Sequence, residues 1–245
     1  LIIVLGGPEV SHEWWEQPIV KWADYVITGS ADLAFAQLCQ RLLNDDPPPE
    51  KIIAAEPPPL DQLVLPYRFY TDEDIAHRLI YVEASRGCPF QCEFCLSALD
   101  QTAWPFPLEP FLVELQRLHE RGVRHFKFVD RTFNLNAKVG ARILDFFLER
   151  LDERLFLHFE LIPDHLPEPL KVRIARFPPG ALQFEIGVQT FNPAVQALIR
   201  RKQDHRKTVE NLRWLRQNTH AHLHADLIAG LPSEDLVSFA AGFNQ

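Results

Sequence analysis

Leu79-Ile-Tyr-Val-Glu-Ala-Ser-Arg-Gly-Cys-Pro-Phe-Gln-Cys-Glu-Phe-Cys95 is the stretch on which the reading of this chain turns. It opens with a short apolar strand, Leu79–Ala84, and passes through Gly87. It then delivers three cysteines in one loop, Cys88-x3-Cys92-x2-Cys95. Three thiolates on one loop can hold three corners of an iron–sulfur cube and leave the fourth iron without a protein ligand. An open iron can bind and reduce a small molecule, so the loop points to chemistry as well as to electron storage. The competing reading is a structural zinc knot, which wants a fourth Cys or His in a paired arrangement. No histidine lies in the loop, and the remaining cysteine, Cys39, sits in an apolar helical stretch far upstream.

Downstream of the loop the rhythm is strand–helix, repeated. The strands are expected at Leu79–Ala84, His125–Val129, Leu155–Glu160, Leu182–Val188 and His222–Ile228. Helices are expected at Leu108–Arg121, Ala137–Leu151, Pro167–Arg176, Pro193–Arg200 with Lys207–Gln217, and Ser233–Phe243. Alternation of this kind implies an α/β fold with a parallel sheet and right-handed crossovers. Five repeats without a turn-back fit an open or incomplete barrel, whose catalytic face is the carboxyl end of the strands. The cysteine loop follows the first strand and so belongs to that face.

Upstream, residues 1–43 read as strand, loop, strand and helix: Leu1–Leu5, the Gly6-Gly7-Pro8-Glu9 turn, Ala23–Ile27, and Asp32–Leu43. This pattern predicts the closing half of an open α/β sheet, with ligands at the carboxyl ends of its strands. Residues 44–78 carry two proline triplets and are expected to form a stiff linker, with the barrel occupying 79–245. The chain has no methionine and opens directly on a strand, which suggests a piece of a longer protein.

The 245 residues carry a net charge of -8, which disfavours a nucleic-acid partner. No apolar run is long enough for a membrane span and no signal peptide is visible. Clustered cysteines then favour metal over disulfides and a cytoplasmic setting.

The motif Cys88-x3-Cys92-x-Phe94-Cys95 resembles the signature of the radical S-adenosylmethionine (SAM) superfamily. The resemblance implies a [4Fe–4S] cluster on Cys88, Cys92 and Cys95, with SAM chelated at the open iron and cleaved reductively to a 5′-deoxyadenosyl radical. It implies Phe94 near the adenine. It also makes Asp130, Glu185, Gln189, Arg201, Asp226 and Gly230 candidates for SAM or substrate contacts. Each has an alternative role: Asp130 as a helix cap, Glu185 in a salt bridge across the barrel, Arg201 as a solvated charge, and Gly230 in a simple turn. His222 and His224 share a strand face with Asp226 and could line a substrate chamber.

The glycine tips Leu5-Gly6-Gly7-Pro8 and Thr28-Gly29-Ser30 are similar to the end of a cobalamin-binding domain, which makes Gly6 and Gly7 candidate cobalamin contacts. Taken whole, the chain resembles the cobalamin-binding branch of the family, the DUF4080-type radical SAM proteins. The expected architecture is a partial (β/α)6-type radical SAM barrel preceded by the C-terminal half of a Rossmann-like cobalamin-binding domain. The resemblance implies an enzyme that modifies an unknown small organic molecule, with methyl transfer through cobalamin as one route. An electron donor such as flavodoxin or ferredoxin would serve it. The alternative is a non-catalytic iron–sulfur or zinc-bearing module that senses redox state.

Overall fold

Parallel strand pairing organises both parts of this chain. The computed structural model describes residues 1–99 and 103–245, and the chain divides into two units, Leu1–Val64 and Leu65–Gln245.

The first unit runs β1 (Val4–Leu5), α1 (Pro8–Ser11), β2 (Tyr25–Gly29), α2 (Asp32–Leu43) and β3 (Ile52–Ala55). Its sheet has the order β1-β2-β3, and both pairings are parallel. Val10, Ala23 and Val26 form its small core, with Leu5, Val20 and Ile52 against them. Two expectations are corrected here. Residues 44–78 are not a linker throughout, because Ile52–Ala55 pairs along β2 in the register Val26↔Ile52. Four residues between proline runs leave too short a signal to read as a strand. The first strand is also shorter than Leu1–Leu5: its first three residues are exposed at the edge of the sheet. Gly29 is required at the tip of β2, since it holds a positive φ of 78° and a Cβ there would lie 2.5 Å from the Ala55 carbonyl oxygen.

The second unit begins with α3 (Asp72–His77), closed at its N-terminus by the reciprocal Thr71–Asp74 capping box. Then follow β4 (Ile80–Val82), the short pair β5 (Ser85–Arg86) and β6 (Trp104–Pro105), and α4 (Leu108–Glu120). The alternation continues through β7 (His125–Phe128), α5 (Ala137–Leu148), β8 (Phe156–Leu161), α6 (Glu168–Ile174) and β9 (Leu182–Gln189). It ends with α7 (Pro193–Leu198), α8 (His205–Asn218), β10 (His222–Leu227) and α9 (Leu236–Phe243). The sheet order β10-β9-β8-β7-β4 is the chain order, and every pairing in it is parallel. This is five strands of a (β/α) barrel, as the repeat predicted.

One face of this sheet is apolar and covered by helices. Phe126 and Phe128 of β7, Leu157 and Phe159 of β8, and Phe184 and Ile186 of β9 are fully buried. Against them α4 turns Phe111, Leu115 and Leu118, the i, i+4, i+7 stripe of an amphipathic helix. α5 adds Ile143, Leu144 and Phe147, and Asn136 caps it by accepting from the Val139 amide at 3.2 Å. At the centre the Phe159 ring lies 4.5 Å from that of Phe128 and 4.0 Å from that of Phe133.

The root of the cysteine loop is fixed to this core by Asp130, just past β7. Its Oδ2 accepts from the Ala84 amide at 3.0 Å and its Oδ1 from the Ser85 hydroxyl at 2.6 Å. Asp130 is therefore not the cofactor contact that the resemblance implied. It is buried under the loop root, and burial pushes its pKa up to about 6, against the opposing pull of the Ser85 and Ala84 hydrogen bonds. Tyr67 secures the neighbouring residue, its hydroxyl accepting from the Glu83 amide at 2.8 Å and donating to the Glu83 carbonyl at 3.2 Å.

Replacement of Phe159 by alanine is expected to lower the unfolding free energy by about 3–5 kcal/mol in a urea titration. Val113→Ala, on the exposed side of α4, should cost no more than about 0.5 kcal/mol; similar losses for the two would refute this account of the core. Asp130→Ala strands the buried Ala84 amide and the half-buried Ser85 hydroxyl and should cost about 1–3 kcal/mol. In Asp130→Asn the amide can accept from Ala84 and donate to Ser85, so its loss should be smaller. Folding raises the Asp130 pKa from 3.8 to about 6, so its protonation stabilises the fold fully below the unfolded value. That contribution is lost as pH rises through about 6. Urea midpoints should therefore show wild type losing stability relative to Asp130→Asn across this window, and parallel pH profiles would refute the assignment.

Candidate functional site

Strand alternation turns the second face of the same sheet into a polar cleft. β9 shows it most plainly: Leu182, Phe184, Ile186 and Val188 are buried, while Gln183, Glu185, Gly187 and Gln189 point the other way. Glu185, Gly187 and Gln189 line a cleft together with Glu160 of β8, Asp226 of β10, Arg131 beyond β7 and Arg201 beyond α7. Cys88, Cys92, Cys95 and Phe94 line the same cleft. The carboxyl ends of the strands and the cysteine loop thus face one space.

The loop is held at both flanks. At its base β5 pairs antiparallel with β6, and the Phe106 amide donates to the Ala84 carbonyl at 2.9 Å. Arg86 meets Glu83 through two hydrogen bonds, of 3.1 and 2.9 Å. At its middle the Glu93 amide donates to the Ile199 carbonyl at 3.1 Å, and Arg200 pairs with Glu93 at 2.7 Å. Arg200 has a left-handed φ of 51°, and this turn sends the next residue, Arg201, back into the cleft. Arg201 reaches Cys92 Sγ at 3.5 Å through Nη1, donates to the Gly187 carbonyl through Nη2, and to Gln203 Oε1 at 3.2 Å through Nε.

Gly187 is the space that admits these groups. A Cβ there would collide with the Gln189 amide and would sit 3.7 Å from Arg201 Nη2. Gln189 itself has a left-handed φ of 70°, uncommon for a side-chain-bearing residue, where the β9–β10 register shifts by one. Strained backbone of this kind concentrates at functional sites.

The floor of the cleft is a chain of ionisable groups of which sequence reasoning found only Glu185. Glu160 and Glu185 are register partners on β8 and β9. Arg131 Nη1 stands 3.1 Å from Glu160 Oε1, and Lys127 Nζ 3.6 Å from Glu185 Oε1. His158 Nε2 lies 2.9 Å from the same Glu185 oxygen, without the alignment of a hydrogen bond. Burial lowers the His158 pKa, outweighing the pull of Glu185, so this imidazole is neutral near pH 7. Burial raises the Glu160 pKa, against the pull of Arg131. Alternation within Phe126-Lys-Phe128 and Leu157-His-Phe-Glu-Leu161 was the available signal for these positions.

Glu185 lines the cleft and makes the salt bridge that was one of its two alternatives. Phe94, Gln189, Arg201 and Asp226 line the cleft. Gly230 does not line it: it occupies a left-handed turn past β10, and a Cβ there would meet nothing within 4 Å, so its need for glycine is conformational. Gly6 and Gly7 belong to the first unit, where Gly7 has a φ of 101° and Ser11 Oγ donates to its carbonyl at 2.8 Å. His222 and His224 stack at 4.6 Å on the face that carries Asp226.

The donor set fits an iron–sulfur cluster. All three loop cysteines are free; Cys88 and Cys92 are buried and Cys95 is half-buried. Burial pushes the Cys88 thiol up, which keeps it protonated until a metal displaces the proton. Among the described residues no three of His, Cys, Asp and Glu converge on a single ion. Three thiolates on one loop suit a cluster, in which each holds a different iron. No described helix is long and apolar enough to cross a membrane.

Comparison with known proteins agrees with this geometry. An uncharacterized methyltransferase of Pyrococcus horikoshii is 28% identical over 182 residues, covering 63% of this chain and 38% of that protein. Among solved structures, the radical SAM methyltransferase TsrM from Kitasatospora setae, with tryptophan substrate and the SAM analogue aza-SAM bound, superposes with a TM-score of 0.76. It is 16% identical, over 98% of this chain and 52% of that one. The cobalamin-dependent SAM radical enzyme OxsB, bound to aqua-cobalamin and SAM, superposes with a TM-score of 0.74 at 15% identity, over 99% of this chain and 38% of that one. At these identities the structural likeness concerns the fold, and the chain spans well under two thirds of the length of each relative. The sequence profile of the Radical SAM superfamily matches residues 82–241, from the end of β4 into α9, and the chain belongs to that superfamily.

Proposed function

We propose that this chain is the catalytic core of a cobalamin-dependent radical SAM enzyme that methylates a small polar organic molecule. The observation that carries the reading is the shared cleft: three free thiols on one loop face the polar ends of β8, β9 and β10. TsrM, whose fold this chain shares, has also been solved with cobalamin and a [4Fe–4S] cluster, which supports both cofactors here. A cluster held by Cys88, Cys92 and Cys95 supplies the low-potential electron that reductive cleavage of SAM requires.

The remaining work falls to the chain. Phe94, 41% exposed at the cleft, offers a flat apolar surface for the adenine. Gln189 and Asp226 present hydrogen-bonding groups to the ribose and the ammonium group. Glu185 keeps a compensating cation, Lys127 Nζ at 3.6 Å, beside its carboxylate at the cleft. The glycine tips of the first unit are assigned to the nucleotide tail of cobalamin, where backbone must come close to the ligand. An electron carrier such as flavodoxin or ferredoxin is the expected reductant.

Anaerobic reconstitution with iron and sulfide is expected to load about four irons per chain, and dithionite reduction in the presence of SAM should release methionine. Cys92→Ala should abolish cleavage and retain at most a damaged cluster. One tightly held zinc per chain with no acid-labile sulfide would overturn the assignment. Gly187→Ala should leave the cluster content unchanged while weakening SAM binding at least about tenfold, because the new methyl displaces Gln189. Unchanged SAM affinity in that variant would remove Gln189 from the site.

A further inference from the structure

Arg201 has a place in the cleft that a ligand clamp does not need. Its three nitrogens are all engaged by the chain: Nε by Gln203 Oε1, Nη2 by the Gly187 carbonyl, and Nη1 by the sulfur of Cys92. The two oxygen acceptors fix the plane of the guanidinium, and the sulfur takes what that plane leaves. Gln203 is held in turn, its Nε2 donating to Thr208 Oγ1 at 2.9 Å, and Thr208 is fully buried. The main chain adds a further restraint, with the Arg201 amide donating to the Gln196 carbonyl at 2.9 Å. Cys92 is itself 4% exposed, so water does little to screen the contact. No carboxylate among the described residues pairs with Arg201, which leaves its charge directed at the sulfur.

We propose that Arg201 tunes the reduction potential of the cluster by donating to the Cys92 thiolate, and that this is its principal role rather than holding a SAM carboxylate. The inference rests on the cluster assignment above. Reduction adds one negative charge to the cluster. A fixed cation that hydrogen-bonds a ligand sulfur stabilises the reduced form more than the oxidised form and raises the potential. The same guanidinium would couple the cluster to the β9 tip, because its Nη1 meets Cys92 and its Nη2 meets Gly187. Lysine, with a single ammonium on a flexible stem, keeps the charge but loses this fork.

The test is an anaerobic redox titration of the reconstituted protein, followed by electron paramagnetic resonance, for wild type, Arg201→Gln and Arg201→Lys. SAM affinity is measured on the same preparations by equilibrium dialysis. Arg201→Gln is expected to make reduction at least about tenfold less favourable, or about 59 mV more negative for a one-electron couple. Arg201→Lys should recover part of that shift, and SAM affinity should change by less than about threefold in either variant. An unmoved potential in a fully loaded Arg201→Gln protein would overturn the proposal, above all if SAM affinity fell sharply instead. Loss of the cluster from both variants would also overturn it, since Arg201 would then serve assembly. Failure of the wild type to take up a cluster would instead sink the functional assignment on which the proposal rests.

Discussion

Each strand of the second unit must satisfy two environments at once, and this constraint shapes everything else in it. Successive side chains leave a strand on opposite faces, so a strand packed under helices on one side has every second position free on the other. Phe126, Phe128, Leu157, Phe159, Phe184 and Ile186 spend one set of positions on a close-packed aromatic core. Lys127, His158, Glu160, Glu185 and Asp226 occupy the other set. The same backbone thus supplies rigidity and chemistry, and the rigidity is what allows charged groups to be held at fixed separations.

The cysteine loop depends on that rigidity through very few contacts. It leaves β4 at a root that Asp130 and Tyr67 tie down by main-chain hydrogen bonds. Its far side is tied to the end of α7 by the Glu93 amide and the Arg200–Glu93 pair. Asp130 carries a cost, because burying a carboxylate with two neutral donors and no cation raises its pKa. That cost is accepted where the position of a loop is at stake, and the buried acid fixes the root from which the three thiols depart.

Much of this was legible in the sequence, and the misreadings have physical causes. The five barrel strands stand out because β-branched, leucine and phenylalanine runs recur between helical stripes, and all were anticipated to within a few residues at their ends. The loop motif was legible because three cysteines so close together have few uses. Asp130 was assigned to the wrong side, although parity held the answer: it continues Phe126 and Phe128 and so falls on the core face. Glu185 has Phe184, Ile186 and Val188 as its neighbours in sequence, yet these lie on the opposite face of β9 and leave it in the cleft. β3 was lost between prolines because its partners, Val26 to Gly29, are distant in the chain. The partners of Arg201 were beyond reach for the same reason, since the contact with Cys92 spans 109 positions.

The charges in the cleft follow an order that no single pair explains. Glu160 and Glu185 are directly opposed on neighbouring strands, an arrangement that is unfavourable when both are ionised. Each is relieved from a different direction, Glu160 by Arg131 and Glu185 by Lys127, with the neutral His158 beside it. The β8–β9 floor is therefore close to balanced before any ligand enters. Across the cleft Arg201 directs its charge at Cys92, while Asp226 has no ion-pair partner among the described residues. The apo cleft thus holds its engaged cation at the thiol end and its unpaired carboxylate at β10. A ligand that carries both signs, as SAM does with its sulfonium, ammonium and carboxylate groups, gains from such a field only when it lies along it. Orientation, rather than affinity alone, is what this charge pattern would contribute to the proposed reaction, which must break one chosen bond.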